Sequence, residues 1–121
     1  MTTTHDGFWG SYAMATLVDV EIGDAIIAYL ERIDATLQPY GGRFLVHGGA
    51  SEQVEGEPFG DVVVIGFPSP TGAADWYRSP GYQGILELRA AHSRSRVALL
   101  PGVDAGHRAT DVLAALRPAG A

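Results

Sequence analysis

The order in which strand-like and helix-like patterns follow one another constrains the fold of this chain most. The clearest pattern is the run DVVVIGF at residues 61–67, which is β-branched and almost wholly apolar, as a strand requires. Residues 10–20 form an earlier strand with partial alternation. Between them, residues 22–37 place apolar side chains at three- and four-residue intervals, the period of one helical face. These segments predict two strands separated by an amphipathic helix.

The remaining segments complete a split βαβ order. A second strand is predicted from Arg43, interrupted by the glycine pair at 48–49. A second helix is predicted to open at Ser69-Pro70 and to bend at Ser79-Pro80, because proline disfavours helical geometry in the residue before it. Residues 96–100 form the last strand. This order predicts an α+β, ferredoxin-like domain with one antiparallel sheet and both helices on one face.

The 121 residues fit one domain, and we divide them into three parts. Residues 1–9 are predicted to be a flexible tail, residues 10–103 the ferredoxin-like domain, and residues 104–121 a C-terminal extension with a short helix. That helix has three open placements, which are over the sheet, along an edge or across a partner subunit. A domain of this size buries a modest core, so association of two copies would add apolar burial.

Composition narrows the classes of partner. Fourteen acidic side chains against eight basic ones give a net charge of −6, and the one arginine concentration is Arg89, Arg94 and Arg96. Nucleic-acid binding needs a basic patch, so no nucleic acid is expected. No segment reaches the length of a membrane span, and the first residues lack the pattern of a signal peptide. We expect a cytoplasmic protein with no membrane partner.

The sequence offers no pattern for a metal or a cofactor. It has no cysteine, and its histidines are scattered at positions 5, 47, 92 and 107. The glycine pairs at 41–42 and 48–49 bracket a strand and do not precede a helix, so they do not form a phosphate-binding loop. We therefore expect neither a metal nor a cofactor.

Two segments carry motifs that resemble a known family. They are YGGRFLVHGG, which begins at Tyr40, and FPS, which begins at Phe67 and is followed by WYRSPGY from Trp76. Together they resemble domain of unknown function family 1330 (DUF1330), over residues 10–103. The resemblance implies a dimeric α+β barrel in which two protomers pack their sheets together. It implies no activity, because the family has no agreed chemistry.

The chain departs from the family pattern near its candidate site. Similar proteins commonly have an arginine where this chain has His47, and a glutamate where it has Gly66. They usually open the first helix with an acidic residue and proline, where this chain has Ile22-Gly23. Losing a carboxylate and gaining an imidazole changes the chemistry that the pocket can perform.

The candidate catalytic residues are His47, Arg43 and Glu52. Alternation along the second strand predicts that Arg43 and His47 face the same way, roughly 13 Å apart. His47 is the acid or base, Arg43 holds an anionic oxygen, and Glu52 accepts a hydrogen bond from the imidazole around the glycine pair. The alternative is that Arg43 is an ion-pair partner and that His47 and Glu52 are surface residues.

The candidate substrate-binding residues surround the predicted bend in the second helix. Trp76, Ser79 and Tyr82, with Tyr40 before the glycine pair, are predicted to wall a small-molecule pocket between that helix and the sheet. Core packing explains the aromatic side chains equally well.

Two functions remain open from the sequence. One is a homodimeric, metal-free enzyme that performs proton transfer, isomerisation or cofactor-free oxidation on a small carbonyl compound, as some related dimeric α+β barrels do. The other is a non-catalytic dimer that binds a metabolite or a protein, with residues 104–121 regulating access. The residues do not decide whether the protein is an enzyme.

Overall fold

The computed structural model describes residues 8–116 of the chain. Its strands and helices follow the predicted split βαβ order, which is confirmed, and a short helix is added after the last strand. The second helix of that order consists of three short segments. The elements are β1 (Ser11–Val18), α1 (Asp24–Leu37), β2 (Arg43–His47), β3 (Asp61–Phe67), α2 (Gly72–Tyr77), α3 (Pro80–Gln83), α4 (Leu86–Ala90), β4 (Arg94–Pro101) and α5 (Val112–Leu116).

The four strands form one antiparallel sheet in the order β2-β3-β1-β4. The two central strands pair from Ser11 opposite Phe67 to Leu17 opposite Asp61. In this register, Ala13 and Ile65 lie opposite each other on the face that the helices cover, and both are buried. The predicted single antiparallel sheet is confirmed.

One face of the sheet and the helices that cover it build the hydrophobic core. Helix α1 contributes apolar side chains at the predicted three- and four-residue intervals, since these positions share one helical face. Strand β3 contributes Phe67, which is completely buried. The buried apolar residues are Ala13, Ile26, Tyr29, Ile33, Leu37, Ile65, Phe67, Ala73, Trp76, Tyr82 and Ile85.

The two serine-proline pairs behave differently from each other. Ser79 caps α3 as predicted, because its Oγ accepts a hydrogen bond from the backbone N–H of Tyr82 at 3.2 Å and Pro80 takes the first helical position. The predicted helix start at Ser69 is wrong, since α2 begins at Gly72. The backbone carbonyl of Ser69 instead accepts a hydrogen bond from Ser11 Oγ at 2.8 Å, which ties this turn to β1.

The opposite face of the sheet is largely apolar and partly exposed. Its central strands present Tyr12, Met14 and Thr16 together with Val62 and Val64. Leu100 of β4 belongs to this open face by its pairing with Tyr12 and is 41% exposed. The ring of Trp9 lies over Gly66, where a Cβ would come within 2.7 Å of Trp9 Cδ2. The indole ring of Trp9 fits here because Gly66 has no side chain.

The ends of the chain are described only in part. The predicted tail at residues 1–9 lies outside the described residues except for its last two positions, and the last five residues of the predicted extension also lie outside them. From Val103 to Leu116 every residue is exposed, α5 included, so this part of the extension does not bury itself against its own domain. Among residues 8–116, no helix is long and apolar enough to cross a membrane.

Candidate small-molecule site

A cavity of about 300 Å³ lies between α1 and the sheet. Its walls are mostly apolar, and they come from one face of α1 and from the covered face of the sheet. This position differs from the predicted one, because α1 rather than the second helix forms most of the roof. Lining residues from these two layers include Ile26, Leu30 and Ile33 of α1 and Ala15, Val63 and Ile65 of the strands.

One part of the cavity wall is polar, and we call the group of side chains that forms and supports it the Arg89 cluster. Tyr29 from α1, Tyr82 from α3 and Arg89 from α4 line the cavity, and Ser95 from β4 holds Arg89 from behind. The hydroxyls of Tyr29 and Tyr82 are 2.8 Å apart and share a hydrogen bond. Arg89 donates to Ser95 Oγ at 2.5 Å and to the Tyr82 hydroxyl at 3.3 Å. These contacts join three helices and one strand at a single point.

Arg89 is the most unusual member of this cluster, because its guanidinium is charged and its side chain is only 6% exposed. No carboxylate of residues 8–116 forms an ion pair with it. Its charge is compensated by the Ser95 and Tyr82 oxygens and by the ring of Tyr29, whose centroid is 5.9 Å from Arg89 Cζ. Burying a charge without a counter-ion costs several kcal/mol, and Arg89 lines the cavity, which makes it a candidate site residue.

The pKa values of the cluster fit a positively charged, hydrogen-donating site. Burial raises the pKa of Tyr29 far above its ordinary value, and the neighbouring Tyr82 oxygen adds to this, while Arg89 acts in the opposite direction. Burial alone would lower the pKa of Arg89, but the oxygens of Tyr82 and Tyr29 outweigh it and the pKa is raised. The phenol of Tyr29 therefore stays protonated and the guanidinium stays charged.

His47 reaches the same cavity because of a bulge in β2. Phe44 pairs with Ile65 and Val46 pairs with Val64, so Leu45 is an extra residue in the strand. The bulge places His47 on the covered face with Phe44, and the two rings stack with centroids 4.3 Å apart. His47 is exposed yet lines the cavity, which locates it at the opening.

The prediction that Arg43 and His47 face the same way is wrong because of the same bulge. Arg43 lies opposite Gly66, on the other side of the pleat from His47. It lines a separate surface depression with Glu31 and Asp34, not the cavity. Glu52 lies in the exposed segment that follows β2 and, among the described residues, makes no hydrogen bond with His47. The structure thus does not bring the three candidate catalytic residues together.

The predicted substrate-binding residues divide between two places. Trp76 and Tyr82 line the cavity, with ring centroids 4.1 Å apart. Tyr40 and Ser79 instead line a shallow depression on the outer side of α1. The Ser79 hydroxyl is already engaged, since it donates to the carbonyl of Trp76 at 2.7 Å and caps α3. Ser79 therefore has a clear structural role.

Trp76 also has a structural role, beside its place in the cavity wall. Its Nε1 donates to Thr36 Oγ1 at 2.9 Å, and Thr36 donates in turn to the carbonyl of Ile33 at 2.6 Å. The indole N–H is therefore used to hold α2 against α1. The face of the ring, and not its N–H, is what Trp76 can offer to a molecule in the cavity.

The sequence analysis missed Tyr29 and Arg89 as site residues, although the helical pattern holds a signal for both. Tyr29 interrupts the apolar stripe of α1 between Ile26 and Ile33, and a buried hydroxyl requires a partner. Arg89 follows Ile85 by four positions, so it falls on the buried face of its helical segment. A charged residue on a buried face is the kind of exception that marks a site.

No group of three or more histidine, aspartate or glutamate side chains within residues 8–116 is arranged to hold a metal ion. The polar groups available for chemistry in the cavity are the Arg89 cluster, His47, and Asp61 at the start of β3.

Comparison with known families and structures gives a consistent fold but no activity. The family described as domain of unknown function (DUF1330) matches residues 10–103. A search of curated proteins finds no match. A protein of unknown function from Rhodopseudomonas palustris is similar in structure, with 21% identity and a TM-score of 0.57 over 81% of this chain and 87% of that one.

Two further structures are similar to this chain. A dimeric ferredoxin-like protein of unknown function from Jannaschia sp. CCS1 has 16% identity and a TM-score of 0.51 over 74% of this chain and 96% of that one. SnoaB, a cofactor-independent oxygenase from Streptomyces nogalater, has 15% identity and a TM-score of 0.46 over 84% of this chain and 98% of that one. The first supports the ferredoxin-like fold, and the second is too distant to transfer an activity.

Proposed function

Because the chain belongs to the DUF1330 family, whose description names no activity, we propose a function from the cavity itself. The protein binds a small organic molecule whose apolar body fills the space under α1 and whose oxygen meets the Arg89 cluster. The observation that carries this proposal is a cavity of about 300 Å³ with apolar walls and one concentrated polar patch. Such a combination is typical of small-ligand sites, where a few polar groups fix the orientation.

Filling the cavity tests this proposal. Ala15 lines the cavity on β1, so Ala15→Leu places a larger side chain inside it. Ala98 of β4 pairs with Met14 on the open face, which makes Ala98→Leu a matched control. Cyclohexanone, benzaldehyde and benzyl alcohol serve as probes, with binding followed through the indole signal of Trp76 in NMR spectra. We expect binding to the wild type and the control variant, and loss of binding in Ala15→Leu.

Equal binding by Ala15→Leu and the wild type would contradict a ligand in this cavity. A shift of the Trp9 indole signal alone would also contradict it, because Trp9 lies over Gly66 on the opposite face of the sheet.

A second candidate function is proton transfer, and the position of His47 favours it. His47 lines the cavity from β2 at one edge of the sheet, while the Arg89 cluster approaches from β4 at the other edge. In this reaction the imidazole removes a proton from carbon beside a carbonyl group. Return of the proton to a different carbon completes an isomerisation, with no oxidant and no metal required.

Exchange of carbon-bound protons with deuterated water tests the proton-transfer candidate. We expect the protein to accelerate exchange at the carbons beside the carbonyl of cyclohexanone, and His47→Gln to slow it by about 100-fold. His92→Gln is the control, since His92 pairs with Glu21 at 3.2 Å on the surface. Equal exchange rates in wild type and His47→Gln would remove His47 from the mechanism.

We also propose that the protein forms a homodimer through the open face of the sheet. Support comes from the partly exposed apolar side chains of that face, such as Leu45, Val46 and Leu100. The similar protein from Jannaschia sp. CCS1, which is described as dimeric, gives further support. Packing of two sheets would remove this apolar surface from water.

A further inference from the structure

We propose that the ligand carries a carboxylate and that the Arg89 cluster is its binding site, so that the protein takes small monocarboxylic acids with an apolar or aromatic body. This inference rests on the proposed function, because it specifies the polar group of the molecule that fills the cavity. It follows from an excess of hydrogen-bond donors and from a positive charge without a carboxylate partner in the cluster.

The hydrogen bonds of Arg89 leave some of its donors unused. A guanidinium has five N–H donors and no acceptor. Among residues 8–116, its side chain donates hydrogen bonds to Ser95 Oγ and to the Tyr82 hydroxyl, and it also interacts with the Tyr29 hydroxyl. The other N–H groups belong to a side chain that is 6% exposed and lines the cavity. A molecule in the cavity is therefore the available acceptor for them.

The tyrosine pair adds a further donor, whichever way its hydrogen bond runs. Tyr29 and Tyr82 have one hydroxyl hydrogen each, and the contact of 2.8 Å between their oxygens uses one of the two. Within residues 8–116, neither hydroxyl donates to any other group. One phenolic hydrogen is thus left over, next to the Arg89 guanidinium. The cluster offers donors of two kinds to one acceptor.

The charge of the cluster selects an anion over a neutral carbonyl compound. The carboxylate closest to the cluster along the cavity wall is Asp61, in the row that runs from Asp61 of β3 through Leu17 of β1 to Ser95 of β4. Two strand spacings of roughly 4.8 Å separate the two ends of this row. Asp61 forms no ion pair with Arg89 among the described residues. A ligand carboxylate would supply the missing negative charge and accept in a bidentate way.

The walls and the volume of the cavity restrict the acid to a small one with an apolar body. About 300 Å³ is at the lower end of the volumes of small-molecule sites. Trp76 and Phe44 offer aromatic surface, and Arg89 is the only arginine or lysine among the lining residues that the structure describes. A second acidic group would meet Asp61 rather than a cation. The site therefore fits one carboxylate, and not a dicarboxylate or a phosphate with its larger charge to desolvate.

Matched pairs of acid and amide test the inference, because they differ in charge and hardly in shape. Benzoate is compared with benzamide and hexanoate with hexanamide, with binding followed through the Trp76 indole signal in NMR titrations. We expect each acid to bind the wild type about tenfold or more tightly than its amide. Arg89→Met is expected to remove this preference and Arg89→Lys to keep part of it. Arg94→Met is the control, since Arg94 pairs with Asp19 on the surface.

The outcomes separate this inference from the proposed function. Amides that bind as tightly as their acids would overturn the carboxylate, while the small-molecule cavity would stand. Unchanged preference in Arg89→Met would likewise overturn the role of Arg89. If neither acids nor amides, nor the neutral probes named above, bind the wild type, both the inference and the proposed function are wrong. The comparison of acid with amide in the wild type decides the matter even if an Arg89 variant fails to fold.

Discussion

At the scale of single residues, Arg89 affects both the stability of the empty protein and the binding that we propose. Its buried charge is expensive in the empty protein, and its hydrogen bonds to Ser95 and Tyr82 return only part of that cost. A side chain that served the fold alone would be replaced by an apolar one at no loss. The presence of a charge here is therefore better explained by a molecule that the cavity receives.

Arg89→Met gives a prediction about stability that separates these roles. We expect the free energy of unfolding to change by no more than about 1 kcal/mol, because the relief of a buried charge offsets the lost hydrogen bonds. Chemical denaturation of the empty protein, followed by circular dichroism, measures it. Destabilisation of about 3 kcal/mol or more would show that Arg89 is mainly a structural residue.

Residue patterns predicted part of the site for a physical reason. Trp76 and Tyr82 were recognised because aromatic side chains around a proline bend are visible in one segment of sequence. The role of Arg89 depends on Tyr29 and Ser95, which come from distant elements, and on the absence of a carboxylate among its described neighbours. A local sequence pattern cannot show that a carboxylate is missing from the neighbourhood of Arg89. The environment of Arg89 could therefore be recognised only once the fold was known.

At the scale of elements, the bulge in β2 decides which side chains reach the cavity. Because successive residues of a strand point to opposite faces, one extra residue exchanges the faces of all that follow. Alternation predicted that His47 would share a face with Arg43, and the extra residue Leu45 places it with Phe44 instead. The sequence analysis placed the irregularity of this strand at the glycine pair 48–49, whereas the bulge lies three residues earlier, at Leu45.

Deletion of Leu45 tests this account of β2. The pairs on both sides of the bulge keep their partners when the extra residue is removed, so we expect the variant to fold and the rings of Phe44 and His47 to remain stacked. Nuclear Overhauser contacts between the two rings measure this. Deletion of Val64 from β3 is the control, and we expect it to prevent folding because it reverses the faces of a central strand. Loss of the ring contacts after deletion of Leu45 would contradict the account.

At the scale of the whole molecule, the open face of the sheet is the surface through which we propose that two copies of the protein associate. Val64 lies near its centre, on a central strand and opposite Met14. The family resemblance predicted a pair of sheets packed against each other, and the partly exposed apolar face fits that arrangement. The fold was predictable to this level because each strand and helix carries its own period in the sequence.

Val64→Lys is expected to weaken the dimer by about 100-fold or more, because a lysine would have to be buried without a partner between two apolar sheets. Analytical ultracentrifugation over a range of concentrations measures the dissociation constant. Val54→Lys is the control, since Val54 is 80% exposed in the loop between β2 and β3. A dimer of unchanged strength in Val64→Lys, with the fold intact by circular dichroism, would place the interface elsewhere.

The alternation of β3 has a consequence for how such a protein can diverge. Val64 and Ile65 are neighbours in the chain, yet one faces the open surface and the other faces the cavity. The sheet is thus a single layer of backbone, and each of its two faces carries its own set of side chains. Substitutions on the open face can therefore change the surface that a partner would contact, while the side chains that line the cavity stay the same.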